Sequence, residues 1–348
     1  MATIQTTDAL GLFTKKLVDV YKERRPVTGF LRSFFPTVES PTLEVSIEVQ
    51  RGYEKTAVDV TRGTDGNRNS FARSTEKIFI PPYYREYFDA TQLQLYDRLY
   101  GATEITDAIF AAYINSVADS LMELQNKIER SYEVQCSQVL ETGVVSLQAQ
   151  TNIDFGRKSA SIVDLGAGNY FASTTVDPFA ALESGCKFLR QVGKAGGNVF
   201  NALVGNVALA DLLGNTIFQK RQNLFNMALD AVQGPQMGPN GATYHGTLTC
   251  GAYKVQLWAY PQYYDLSGTS TPYLNDKKIT LIPVNPQFKL AFGAVPQLIT
   301  PNTLPRMGAF IMGEYIDQRS ASHIMDIKSA GIAIPTAIDQ IYTVKVSA

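Results

Sequence analysis

The sequence predicts an α+β fold, and three stretches carry that prediction. Residues 103–142 hold an apolar repeat at helical spacing, with no glycine or proline before Gly143. Residues 41–80 alternate apolar and polar positions around a centre rich in glycine and asparagine, the pattern of a long hairpin. Toward the C-terminus, β-rich runs such as "KKITLIPV" and "FKLAFGAVPQ" follow one another between turns.

In chain order, "DALGLFTKKLVDVYKERR" (8–25) places Leu10, Phe13, Leu17, Val20 and Tyr21 on one stripe and its cations on the other face. Asp8 is a plausible N-cap, and Pro26 stops the helix. The run "GFLRSFFP" (29–36) follows, and exposed it would invite association. In the hairpin, Leu43, Val45, Ile47 and Val49 are expected on one face, opposite Glu44, Ser46 and Glu48. Gly63, Asp65, Gly66, Asn67 and Asn69 form the tip, and "KIFIPP" returns as a strand. Such a two-stranded projection is marginal alone in water and needs something to lie on.

The repeat Ile105, Ile109, Tyr113, Val117, Leu121, Leu124, Ile128, Tyr132 and Val139 predicts one helix ending at Gly143. At 1.5 Å per residue it would span roughly 55–60 Å, a spine for its domain. Short strands in "SLQAQTNIDFG" and "SASIVDL" come next. Asp177 and Pro178 open a helix, "NVFNALVGN" reads as a strand, and two further helices lead to the loop "QGPQMGPNGA". The last stretch is read as strand, turn at Pro335, strand.

Composition narrows the function. The 348 residues are 45% hydrophobic and 18% charged, with net charge -1. That length supports a large core and about two domains. A chain poor in charge suits burial against copies of itself, and a balanced charge argues against a surface built wholly for nucleic acid. Cys136, Cys186 and Cys250 are far apart and read as buried small hydrophobes. The opening lacks the layout of a signal peptide, and no apolar run is long enough for a membrane span.

The chemistry of catalysis is not found. His245 and His323 have no histidine three or four positions away, so no histidine zinc site is expected. The glycines around Lys194 precede a strand, whereas a phosphate loop needs them after one. No spacing selects a carboxylate pair. The expectation is therefore no catalytic residue, no metal and no cofactor. Charge is more informative: residues 15–32 carry a basic excess, and the projection interleaves Arg51, Arg62, Arg68 and Arg73 with carboxylates. An arm near a polyanion and a mixed-charge hairpin paired with a neighbour follow from this, with charge setting register more than affinity.

The order of these parts resembles the major capsid proteins of tailed bacteriophages, in particular the lambda-type family with the Hong Kong 97-type coat fold. The residues that carry the likeness are "FLRSFFP", "IDFGR" at 153–157, "NVFNALVGNVALADLL", "YLNDKKITLIP" at 273–283 and "DIKSAGIAIPTAID" at 326–339. The resemblance implies an N-terminal arm (1–40), an extended hairpin loop (41–88), a peripheral domain (89–172 plus 325–348) with the spine helix at 103–142, and an axial domain (173–324). It implies no enzyme. It implies hexamers and pentamers closing an icosahedral head shell around double-stranded DNA, held non-specifically on the inner face. Scaffold, portal and decoration proteins are the implied partners, with no membrane. Assembly would occur in the host cytoplasm, and the finished location would be the virion shell. Inter-subunit contacts are expected at Phe30, Phe34, Phe35, Arg51, Arg62, Arg68 and Arg73, with Pro36 setting the exit toward the loop. A tail-tube or head-joining subunit, or a nucleic-acid-binding protein using the basic arm, are the alternative readings.

Overall fold

A computed structural model describes residues 27–51, 73–91, 107–224, 236–266, 268–296, 305–317 and 322–348. The amphipathic stretch 8–25 and the hairpin tip, with Arg62 and Arg68, lie outside the described residues.

The strands are β1 (Thr37–Glu39), β2 (Val45–Arg51), β3 (Arg73–Phe79), β4 (Tyr83–Thr91), β5 (Val144–Val145), β6 (Ile153–Asp154), β7 (Ile162–Asp164), β8 (Val199–Val204) and β9 (Gln236–Met237). They continue as β10 (Thr243–Cys250), β11 (Tyr253–Ala259), β12 (Tyr263–Leu266), β13 (Thr269–Pro272), β14 (Lys278–Pro283), β15 (Phe288–Phe292), β16 (Ile311–Asp317), β17 (Ser322–Pro335) and β18 (Tyr342–Lys345). The described helices are α1 (Asp107–Glu141), α2 (Pro178–Gln191), α3 (Asn206–Gly214) and α4 (Thr216–Leu224). The chain divides into two compact units, one holding Arg85–Glu129 and Met312–Lys328, the other Thr28–Tyr84, Arg130–Ile311 and Ser329–Ala348.

The larger unit is built on a seven-stranded sheet ordered β7-β18-β14-β8-β11-β10-β9. β8 and β14 pair antiparallel and bury nearly every residue, so both are mostly apolar, with Asn201 and Thr280 as buried polar positions. α2 begins where Asp177 accepts the Phe179 amide at 3.0 Å, with Pro178 in the first turn. It lies directly on the sheet at Gly185, where an added Cβ would stand 2.5 Å from Leu281 Cδ1 and 2.7 Å from Tyr342 Cδ1. Phe200, Leu257, Ile279, Leu281, Leu182 and Cys186 fill the space between helices and sheet. Asn215 caps α4 by accepting the Ile217 amide at 2.9 Å, while its Nδ2 donates to the Phe171 carbonyl at 2.9 Å.

α1 has 35 residues, roughly 52 Å at 1.5 Å each, and falls inside the stretch read as a spine. Gly143 ends it at φ +76°, its amide donating to Val139 O at 3.0 Å. Arg157 closes the same end. Its guanidinium donates to the Leu140 and Glu141 carbonyls at 3.1 and 3.0 Å, to Ser161 Oγ and O at 2.8 and 2.9 Å, and to Thr343 Oγ1 at 2.9 Å. A cation at a helix C-terminus satisfies carbonyls that have no partner within the helix. Burial lowers the Arg157 pKa to about 10, partly countered by Glu141.

β1, β15, β17 and β16 follow one another in a second sheet. Within the larger unit, Tyr132 of α1 meets Phe292 edge-on at 5.4 Å and Ser329 by hydrogen bond at 2.5 Å. Gly331 leaves room for both rings, since a Cβ there would lie 2.7 Å from Phe292 and 2.8 Å from Tyr132. In the smaller unit, fully buried Asp326 pairs with Arg85 at 2.8 Å and Lys328 at 3.1 Å. Glu86 and Lys127 make a further ion pair at 2.7 Å.

Candidate assembly interface

The phenylalanine run faces inward. Residues 29–35 close a tight turn in which Ser33 N bonds Gly29 O at 3.1 Å and Ser33 Oγ bonds Phe30 O at 2.6 Å. That turn sends Phe30, Leu31 and Phe35 into the body, where all three are buried. Phe30 packs against Trp258 and Tyr260 at 5.6 and 5.4 Å, and Phe35 stacks on Phe288 at 5.0 Å. Phe34 is half-buried and meets Phe30 edge-on at 5.4 Å. Burial of the Phe30 and Phe35 rings contributes about 1.5–3 kcal/mol each.

Polar bonds hold the same segment. The amides of Leu31 and Arg32 donate to Glu133 Oε1 and Oε2 at 2.8 and 3.0 Å. The Tyr260 hydroxyl also donates to this carboxylate and bonds Thr28. Glu133 is 1% exposed. Burial raises its pKa to about 7, with the two amides, Tyr260 and Arg32 pulling the other way. Past Pro36, β1 joins β15 in parallel, with Thr37 opposite Leu290.

This docking sets up the hairpin. Ala294 N bonds Thr42 O at 2.8 Å, and Ser40 N bonds Phe292 O at 2.7 Å. Gly293 lets both hairpin roots cross, since a Cβ there would stand 3.0 Å from Leu43 O and 3.3 Å from Pro81 Cγ. β2 and β3 then pair from Val45↔Phe79 to Arg51↔Arg73. Val45 is buried, whereas Ser46, opposite Ile78, is exposed. Leu43 corrects the sequence reading: it sits in the bend before β2 and points outward rather than sharing the Val45 face. The bend over Gly293 breaks the strand alternation at that point.

Large apolar side chains are nonetheless exposed around the hairpin root, beside the exposed Glu44 and Ser46. Leu43, Ile78, Ile80 and Tyr83 each expose between 42% and 63% of their surface. The sequence reading named Leu43, on the Val45 face, but not Ile78, Ile80 or Tyr83, although Ile78 and Ile80 lie two apart in "KIFIPP" and so share a strand face. Arg51 and Arg73 are opposite one another in the backbone register of β2 and β3.

Other chemistry is sparse. A cavity of about 720 Å³ beside the start of β8 is lined by Lys194, Asn198, Gln256, Asn285, Gln287 and Gln340 among others, with no carboxylate or imidazole in its wall. Among the described residues, no three metal-capable side chains cluster, and no helix is long and apolar enough to cross a membrane. His245, on β10, has its pKa lowered by burial. The three cysteines are free and buried.

The family model described as phage major capsid protein E matches residues 13–346. No curated protein matches the sequence. A protein of E. coli CFT073 assigned as a prophage capsid protein superposes with TM-score 0.63 at 14% identity, covering 92% of this chain and 93% of its own. The capsid of the cyanophage P-SCSP1u gives TM-score 0.52 at 9% identity, over 96% and 92% of the two chains. The capsid of a native GTA particle gives 0.50 at 10% identity, over 98% and 97%. These similarities establish the Hong Kong 97-type coat fold.

Proposed function

The chain belongs to the phage major capsid protein E family, and on that premise we propose how its surfaces build a shell. It is a major coat protein that associates with copies of itself to form the phage head. In our reading the subunits form hexamers and pentamers that close an icosahedral shell around double-stranded DNA. Residues 1–40 serve as an arm and 41–88 as an extended loop. Residues 89–172 with 325–348 form the peripheral domain, and 173–324 the axial domain. The subunit performs no catalysis, and its partners beyond itself are a scaffold, a portal and decoration proteins. Assembly takes place in the host cytoplasm, and packaged DNA meets the inner face without sequence preference.

The observation that carries this reading is the apolar root of the hairpin. A two-stranded projection that exposes Leu43, Ile78, Ile80 and Tyr83 is incompletely supported by its own subunit. A neighbouring copy covers that strip, while Arg51, Arg62, Arg68 and Arg73 set the register of the contact. The test is the double variant Ile78→Asp with Ile80→Asp, studied by electron microscopy and light scattering. Folded subunits without shells are expected. Normal shells from this variant overturn the contact, and rings or tubes from the unaltered protein favour a tail-tube or head-joining role.

A further inference from the structure

The loop after α2 places its backbone strain on a lysine. Residues 193–198, "GKAGGN", hold three glycines, yet none of these has a positive φ, whereas Lys194 sits at φ +52°. A left-handed backbone is harder on lysine than on glycine, and such strain persists where surrounding structure imposes it, commonly at binding sites. Two bonds from the end of α2 impose it here: Gly193 N donates to Phe188 O at 3.2 Å, and Ala195 N to Leu189 O at 3.0 Å.

Lys194 is exposed at the rim of the cavity beside β8, whose volume of about 720 Å³ falls within the range of ligand sites. Asn198, Gln256, Asn285, Gln287 and Gln340 supply its polar walls, and Lys194 alone among the lining residues carries charge. Gln340 is 8% exposed and held in place, its Oε1 accepting the Gln287 amide at 3.3 Å. Asp339, its neighbour in the chain, is engaged by Lys158 at 2.8 Å. Gly196 and Gly197 leave the backbone bare: a Cβ on Gly196 would meet nothing within 4 Å, and one on Gly197 only Val199 N at 3.9 Å. The same sheet face carries an orphan acceptor. Asn201 shares a face of β8 with Val199 and pairs in register with Gln256, both of which line the cavity. It is 5% exposed, and its Oδ1 accepts no hydrogen bond from the described residues.

These features fit one kind of ligand. Carboxamides donate and accept side by side, as a peptide bond does, so they match an extended backbone. Bare glycines admit a second chain close to the loop. One ammonium, with no carboxylate in the wall, suits a single negative charge, whereas the repeated phosphates of a nucleic acid take several cations.

We propose that this cavity binds an extended acidic peptide segment of a partner protein, with Lys194 pairing its carboxylate and the surrounding carboxamides pairing its backbone.

Photo-cross-linking of the full-length protein with acetyl-Ala-Glu-photoleucine-amide at millimolar concentration, mapped by mass spectrometry, tests this. Capture is expected on residues 194–199 and 283–287. Exchanging the probe's glutamate for glutamine should lower it about tenfold, the effect of losing one charge-assisted bond. Lys194→Gly should lower it as far while leaving the urea midpoint unchanged or higher, because glycine relieves the left-handed strain. Lys194→Arg should retain most of it. No capture, capture spread evenly over the surface, or undiminished capture by a folded Lys194→Gly overturns the proposal. So does suppression by tetrathymidylate at concentrations where acetyl-Ala-Glu-Ala-amide does not compete, which marks a phosphate site instead. If Lys194→Gly does not fold, the glutamine probe decides, and equal capture of the two probes overturns the site. Capture is read on the subunit whether or not shells form, so its failure leaves the assembly reading intact.

Discussion

Gly143 and Arg157 share one space. A Cβ on Gly143 would stand 2.8 Å from Arg157 Cβ and 3.1 Å from its Cδ, so the missing side chain at the helix end is what lets the arginine reach its carbonyls. The glycine serves twice, because its φ of +76° also turns the chain out of α1.

Gly143→Ala is therefore expected to lower subunit stability by at least about 1–2 kcal/mol, from left-handed backbone strain with the clash added. Arg157→Met should cost about 2–4 kcal/mol, since it leaves buried carbonyls and hydroxyls without a donor. Urea unfolding of each variant measures this, and a midpoint within error of the unaltered protein would refute the clasp.

Gly185→Ala tests how closely α2 rests on the sheet. The new methyl meets Leu281 and Tyr342 at 2.5 and 2.7 Å, and a loss of about 1–3 kcal/mol is expected. The small gain in helix propensity that alanine brings should not appear in the unfolding curve.

The phenylalanines should separate by role. Phe35→Ser removes a buried ring stacked on Phe288 and is expected to cost about 3–5 kcal/mol, with insoluble protein as the usual result. Phe34→Ser, at a half-buried ring, should leave a soluble, folded subunit. Circular dichroism with particle counts in the microscope distinguishes loss of fold from loss of shells. Equal stability of the two variants would contradict the packing.

The thiols should be inert. Burial pushes Cys186 up to about 12, with Glu183 adding to the effect, and raises Cys136 as well. At pH 8 the thiolate form is scarce at both positions, so a disulfide exchange reagent should label them only after denaturant is added. Rapid labelling of the native protein, especially if unchanged between pH 7 and 9, would show that the core around them opens.

Local physics made much of this chain readable. The helical run of α1, the Asp177–Pro178 start of α2 and the Gly143 stop each depend on neighbours a few residues away. The sequence by itself therefore determined these elements and their order, and the order of the parts carried the family resemblance. The orientation of "GFLRSFFP" was not decided at that level, because three phenylalanines suit a core and an interface equally well. Only the tertiary structure decided it, by bringing Glu133 to the amides of Leu31 and Arg32 and Phe288 to Phe35. The same holds for Arg157, whose bond to Thr343 spans 186 residues. It holds too for the outward strip at Leu43, Ile78, Ile80 and Tyr83, where the bend over Gly293 overrides the alternation. Hydrophobicity states that a side chain leaves water, but which surface receives it depends on partners that only folding brings within reach.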